Sequence, residues 1–210
     1  MDQPQGHTHT KNELIWKEKK GIFSIKTTYQ VAIHQQEQGE HSSARSDRKF
    51  WNRIWWLHIP PKIWNFAWRA CSDVLPTLVN LYWRKVPVDL TYGVCQQHEE
   101  TVAQALWSCP MARNVWVLVV GKLQKRSSGA EDFYVLVREL IEVLSTKELE
   151  VWAVVSWSIW NARNKWLFDR KQTQPCDILR GAMNLLQDYQ RLCQWLNRTE
   201  KHSQKRIPEV

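Results

Sequence analysis

The sequence predicts a mainly α protein: a tryptophan-rich helical domain with a small N-terminal β-hairpin and a Cys/His loop, followed by a second helical layer. Three observations carry that prediction. From Lys49 onward, apolar residues recur at intervals of three and four, which sets them on one face of an α-helix. Helix-start chemistry precedes several of these runs, with Pro61, Pro110 and Pro175 at first turns and Ser145 with Glu148 as a capping box. Strand signal is confined to the neighbourhood of Trp16 and Phe23, which flank a polar turn containing Gly21.

Taken in order, residues 1–11 are polar and aperiodic and are expected to be a disordered start. After the hairpin, Ser24 is a good N-cap for a helix carrying Tyr29, Ala32 and Ile33 on one face. Residues 37–48 read as a polar loop. A helix follows from Lys49, with Phe50, Ile54 and Leu57 in one stripe and Trp51 and Trp55 beside it. Pro60 and Pro61 end it and open a second helix to Cys71, whose apolar face is Ile63, Phe66, Ala67 and Ala70, extended by Trp64 and Trp68. Thr77 to Lys85 reads as a short helix with Leu78, Leu81 and Tyr82 inward. Val102 to Trp107 reads as one or two helical turns, and Met111 to Leu123 as a helix with Val115, Trp116, Val119 and Val120 apolar.

Residues 122–130, KLQKRSSGA, make the best linker in the chain. They divide a first domain, 12–121, from a helical segment, 131–197. That segment is expected to hold helices over 133–144, over 146–169, and from Pro175 with Ile178, Ala182, Leu185, Tyr189, Leu192 and Leu196 inward. Residues 198–210 are left as a frayed, basic tail.

Composition narrows the function classes. The chain has 210 residues, 43% of them hydrophobic, with fourteen Trp, a formal net charge of +8 and a pI near 9.3. Trp buries a large area with few rotatable bonds, so most of the fourteen are expected in the core. The positive balance favours a polyanionic partner. Cys71, Cys95, Cys109, Cys176 and Cys193 form an odd set without disulfide-framework spacing, and no signal peptide is visible. The longest apolar run, Val115 to Val120, is far too short for a bilayer. An intracellular, soluble protein is expected, with the nucleus a compatible compartment.

The chemistry-bearing stretch is VCQQHEETVAQALWSCP, residues 94–110. Cys95 and His98 are spaced as two ligands on one tight turn, and Cys109 follows. Zinc asks for four thiolate or imidazole donors in a tetrahedron. Gln104 stands where the fourth would be wanted, and a neutral amide binds zinc weakly. Glu99, Glu100 or water could complete the shell. The bland alternative is a relic loop pinned by Val102, Leu106, Trp107 and Trp116.

These residues resemble the zinc-binding region of plant non-LTR (LINE-type) retrotransposon reverse transcriptases. The resemblance begins at ELIWKEKKGIFSIKTTYQVA, runs through FWNRIWWLHIPPKIWNFAWRACSDVLPTLVNL and ends with CQQHEETVAQALWSCPMARNVW. Residues 151–170, VWAVVSWSIWNARNKWLFDR, resemble the helical segment that precedes the ribonuclease H domain in the same elements. The chain departs from the family pattern at His98, where the family has Cys, and at Gln104, where it has His. The resemblance implies zinc as cofactor on Cys95, His98 and Cys109, with a degenerate fourth position.

The resemblance further implies a non-catalytic accessory module that contacts RNA or DNA through basic residues. The paired Asp residues of the polymerase palm and the carboxylates of the nuclease are expected to be absent from this chain, so no enzyme is predicted. Nor is a small-molecule substrate or a membrane partner. Basic residues cluster at Lys17, Lys19, Lys20 and Lys26; at Lys122, Lys125 and Arg126; and at Arg163, Lys165, Arg170 and Lys171. Among those studding the Trp-rich helices, Lys62, Arg69, Arg84 and Lys85 are the candidate nucleic-acid contacts, and any Trp left exposed is a candidate to stack on bases. The alternative is a structural remnant or protein-interaction fragment of a degenerate retroelement, without nucleic-acid affinity.

Overall fold

Where the helices of this protein begin is set by a few Pro, Thr, Asp and Ser side chains. The computed structural model describes residues 43–89, 99–123 and 132–204, with backbone alone for 43–46 and 199–204. The hairpin and the helix expected over residues 12–36, and the start expected to be disordered, lie outside the described residues.

Helix α1 is Ser43–Trp55, so it begins inside the stretch read as a loop. The polar residues there do not oppose helix formation. They are anchored from outside: the Tyr134 hydroxyl donates to Asp47 Oδ1 at 2.6 Å, and the Tyr134 ring lies 4.7 Å from that of Phe50. Helix α2, Pro61–Cys71, has Pro at its first position and buries Ile63, Phe66, Ala67, Ala70 and Cys71, as the periodicity predicts.

Helix α3, Leu78–Trp83, is capped by Thr77, whose side chain accepts from the Asn80 amide. Tyr82, expected inward, is 52% exposed, and Trp83 beside it is 71% exposed. Six residues bury one side only, and Leu78 occupies it. Both α2 and α3 close the same way. Asp73 and Lys85 adopt positive φ, and the next amides, Val74 and Val86, reach back to Arg69 O and Leu81 O. That is a Schellman closure made without glycine.

A π-helical turn, Gln104–Ser108, leads into α4, Pro110–Leu118. The helix expected to run to Leu123 stops early, because Val119 turns extended and Gly121 takes φ +119°. Val119 stays buried, while Val120 is 91% exposed.

Helix α5 is Phe133–Val143, capped by Asp132, and α6 is Thr146–Asp169, with the predicted Ser145–Glu148 capping box in place. Helix α6 is buried on nearly every side, including the consecutive run Trp152 to Val155. It packs against α2, the π turn and α7, which makes it the central rod of Ser42–Val210. Phe133 stacks on Trp152 and Phe66 approaches Trp160, so indoles seal both contacts.

Helix α7, Pro175–Gln204, lies along α6 and α4 and continues past Asn197, where the sequence reading ended it. Its buried stripe is Ile178, Ala182 and Leu186, whereas Leu192 and Leu196 are exposed. The stripe turns polar at Gln190, whose Nε2 donates to Glu150 Oε2 at 3.0 Å and to His58 O at 3.3 Å. Those bonds join α7 to α6 and to the end of the α1–α2 connection below the apolar stripe. No strand occurs among the described residues.

Candidate functional site

The segment after residue 98 is built by short-range hydrogen bonds. The Gln104 amide donates to Thr101 Oγ1 at 3.1 Å and the Ala105 amide to Thr101 O at 2.9 Å, which start the turn. The Cys109 amide then donates to Gln104 O at 2.8 Å, an i to i−5 bond that defines the π turn. That bond brings the backbone of two ligand positions, 104 and 109, together. Pro110 follows as the first residue of α4, with Cys109 as its cap.

Indole packing holds the turn in place. Trp116 Nε1 donates to Leu106 O at 2.8 Å in the interior, and the Trp107 and Trp116 rings lie 5.0 Å apart. Val102, Leu106, Trp107 and Trp116 are all buried, as the pinned-loop reading requires.

Of the four expected metal positions, Cys109 and Gln104 are both buried, and Cys95 and His98 lie outside the described residues. Among the described residues no group of three or more His, Cys, Asp or Glu side chains converges to hold a metal ion. Glu100 is withdrawn from the donor pool. Its carboxylate is fully buried and takes a two-pronged ion pair from Arg163, whose Nε donates at 3.2 Å while its Nη2 bonds the other oxygen. Burial pushes the Glu100 carboxyl up, opposed by the Arg163 charge, by that guanidinium's hydrogen bond and by the Leu78 amide. Glu99 is exposed. The described part of the site therefore supplies one donor of zinc's preferred kind, the Cys109 thiol, and zinc binding rests on Cys95 and His98 joining it. Cys71, the other buried thiol of this region, is pushed far above the usual thiol range, by burial first and by Asp132 second, and is inert packing.

The basic candidates divide. Lys62 and Arg69 lie two turns apart on α2, and Arg84 reaches Val74 O at 3.4 Å, which ties the end of α3 to the end of α2. Lys62, Arg84 and Lys85 are exposed and Arg69 is half-buried, with the Lys62 ammonium 4.3 Å from the centroid of the Trp157 ring. Arg163, grouped with the basic surface by sequence, is only 2% exposed and belongs to the core. Conversely, sequence reasoning missed that Tyr82 and Trp83 project outward beside Arg84 and Lys85, with their rings 6.1 Å apart.

Residues 23–116 match the family described as zinc-binding in reverse transcriptase. That stretch resembles a reverse-transcriptase zinc-binding region. It takes in a little under half of the chain and includes α1 to α4 with the π turn. No curated protein and no solved structure matches the chain. Within the matched stretch, the buried charge of Glu100 is satisfied by Arg163 on α6, an element beyond the matched residues. No helix among the described residues is long and apolar enough to cross a membrane.

Proposed function

We propose that this chain is a non-catalytic accessory module of a LINE-type reverse transcriptase that contacts RNA or DNA through its basic residues. One observation carries the reading: at the end of α3 two exposed aromatic rings, Tyr82 and Trp83, adjoin two exposed cations, Arg84 and Lys85. Exposed rings beside cations are the components of a single-strand platform, in which bases stack and phosphates pair. Lys62 and Arg69 on α2 extend the positive surface toward it.

The non-catalytic reading is supported by how the buried carboxylates are used. Glu100 serves Arg163, and Glu150 accepts from the His58 amide at 2.8 Å and from Gln190. Zinc, held by Cys95, His98 and Cys109, would supply a structural crosslink that fixes the loop before the π turn. Residues 151–170 would be the segment that precedes the ribonuclease H domain of such elements.

A mobility-shift titration with single-stranded RNA at about 50 mM and about 200 mM salt tests the reading. Affinity should fall steeply with salt, and the R84E/K85E variant should bind about tenfold more weakly at the lower salt. Negligible binding at both salts would sink it and leave a structural or protein-interaction remnant.

A further inference from the structure

A second positively charged feature lies on another part of the molecule. Between α1 and α5 runs an open cleft of about 690 Å³, within the range of small-ligand sites. Its floor is closed by the buried Phe50 and Ile141, and its walls carry Lys49, Arg53 and Arg138 against a single carboxylate, Glu142. Trp56 stands at the cleft with its indole 76% exposed. Helix α5 lies beyond the residues that match the zinc-binding family, so the cleft is completed by an element outside that match.

We propose that this cleft holds one phosphodiester step of a single-stranded nucleic acid, with phosphate against Lys49 and Arg138 and an unpaired base on Trp56. The proposal rests on the nucleic-acid reading above and adds a second place of contact, sharing no residue with the α3 patch. Three features make the cleft suited to an anion. Arg53 donates to Leu144 O at 3.1 Å and to Ile141 O at 3.5 Å, so it covers the negative end of α5 that would otherwise repel a phosphate. Arg138 is braced over the Tyr134 ring, 5.8 Å from its centroid, and Tyr134 is itself fixed by Asp47. A guanidinium and an ammonium on facing helices can grip a phosphate from two sides.

The indole decides between ligand classes. A run of Asp and Glu would use the cations but has no flat ring to offer Trp56, whereas every base has a π-face. Duplex nucleic acid keeps its bases stacked inside, so a single strand is the form that fits.

The test uses the full chain and a short fluorescent oligouridylate, followed by anisotropy at two salt concentrations. K49E/R138E should weaken binding about tenfold and reduce the salt slope by roughly one, as expected for losing one or two single-strand phosphate contacts. Trp56→Ala, an exposed position whose fold is checked by circular dichroism, should weaken binding about tenfold. A 5-iodouridine version of the probe should crosslink to the Trp56 peptide. If K49E/R138E binds as the parent does while R84E/K85E loses affinity, the cleft proposal is overturned and the α3 reading stands. If the parent chain does not bind the probe at all, both fall. Competition by poly-glutamate that matches the oligonucleotide, charge for charge, would also overturn the cleft proposal in favour of an acidic protein ligand.

Discussion

Glu100 and Arg163 are 63 positions apart in sequence, yet each supplies the opposite charge that the other needs in the core. Removing one partner leaves a charge in the core. Arg163→Met should therefore destabilise the fold by about 3–5 kcal/mol, while a double change of Glu100 to Leu and Arg163 to Met should recover most of that loss. Urea melts of the two single variants and the double variant complete the cycle. The pH dependence of the Arg163→Met variant has a definite sign. Its Glu100 would keep the burial that raises its pKa and lose the guanidinium that lowers it. The folded state then binds more protons than the unfolded one, so the deficit shrinks as pH falls and grows as pH rises through that window. A deficit that does not change between acid and neutral pH would show that Glu100 is not the stranded charge. Gln104 poses the complementary question about gain. It occupies the position where an imidazole is wanted, buried one π turn from Cys109. Gln104→His should raise the zinc retained per chain after purification, as read by elemental analysis, and an unchanged content would mean that the donors do not converge.

At the scale of the element, most boundaries follow local chemistry and can be read from a short window. The capping box of α6 is one. Glu148 Oε2 accepts from the Ser145 amide and hydroxyl at 2.8 Å each, and these bonds hold the Glu148 carboxyl below its ordinary range. A depressed carboxylate contributes stability that is present above its unfolded pKa and lost as pH falls through the folded one. An NMR titration should find Glu148 protonating at lower pH than a free Glu, and Ser145→Ala, which removes the hydroxyl but keeps the backbone amide, should return it only part of the way. The first turns of α2, α4 and α7 at Pro61, Pro110 and Pro175 were equally legible. Where elements were misread, a distant contact had intervened. Helix α1 extends into a polar stretch that is tied down by Tyr134. Helix α4 is the exception, stopped locally where Val119 turns extended and Gly121 takes a positive φ. Helix α7 leaves Leu192 and Leu196 exposed and places Gln190 against Glu150.

For the molecule as a whole, the helices on either side of residues 124–130 pack as one body, with α4 against α7 and the π turn against α6. A fragment ending at Gly121 would lose the partner of Glu100 and the cover over Trp116 and the π turn. Such a fragment should show a broad, non-cooperative thermal transition by circular dichroism. A sharp melt close to that of the full chain would mean that the reverse-transcriptase zinc-binding region is stable by itself. The placement of charge is likewise a property of the whole. Among the basic residues named from the sequence, burial removes Arg163 and leaves Lys62, Arg84 and Lys85 at the surface.

By itself the sequence determined the helical class, the order of the helices from α2 onward, the caps, and the family of residues 23–116, because periodicity, Pro and capping chemistry, and ligand spacing are all local signals. Tertiary structure alone decided which acidic and basic residues are spent inside the core and which tryptophans face out. Those outcomes depend on what a distant helix places opposite each side chain. A Trp at helical spacing looks the same in sequence whether the fold buries it, as at Trp152, or exposes it, as at Trp56 and Trp83.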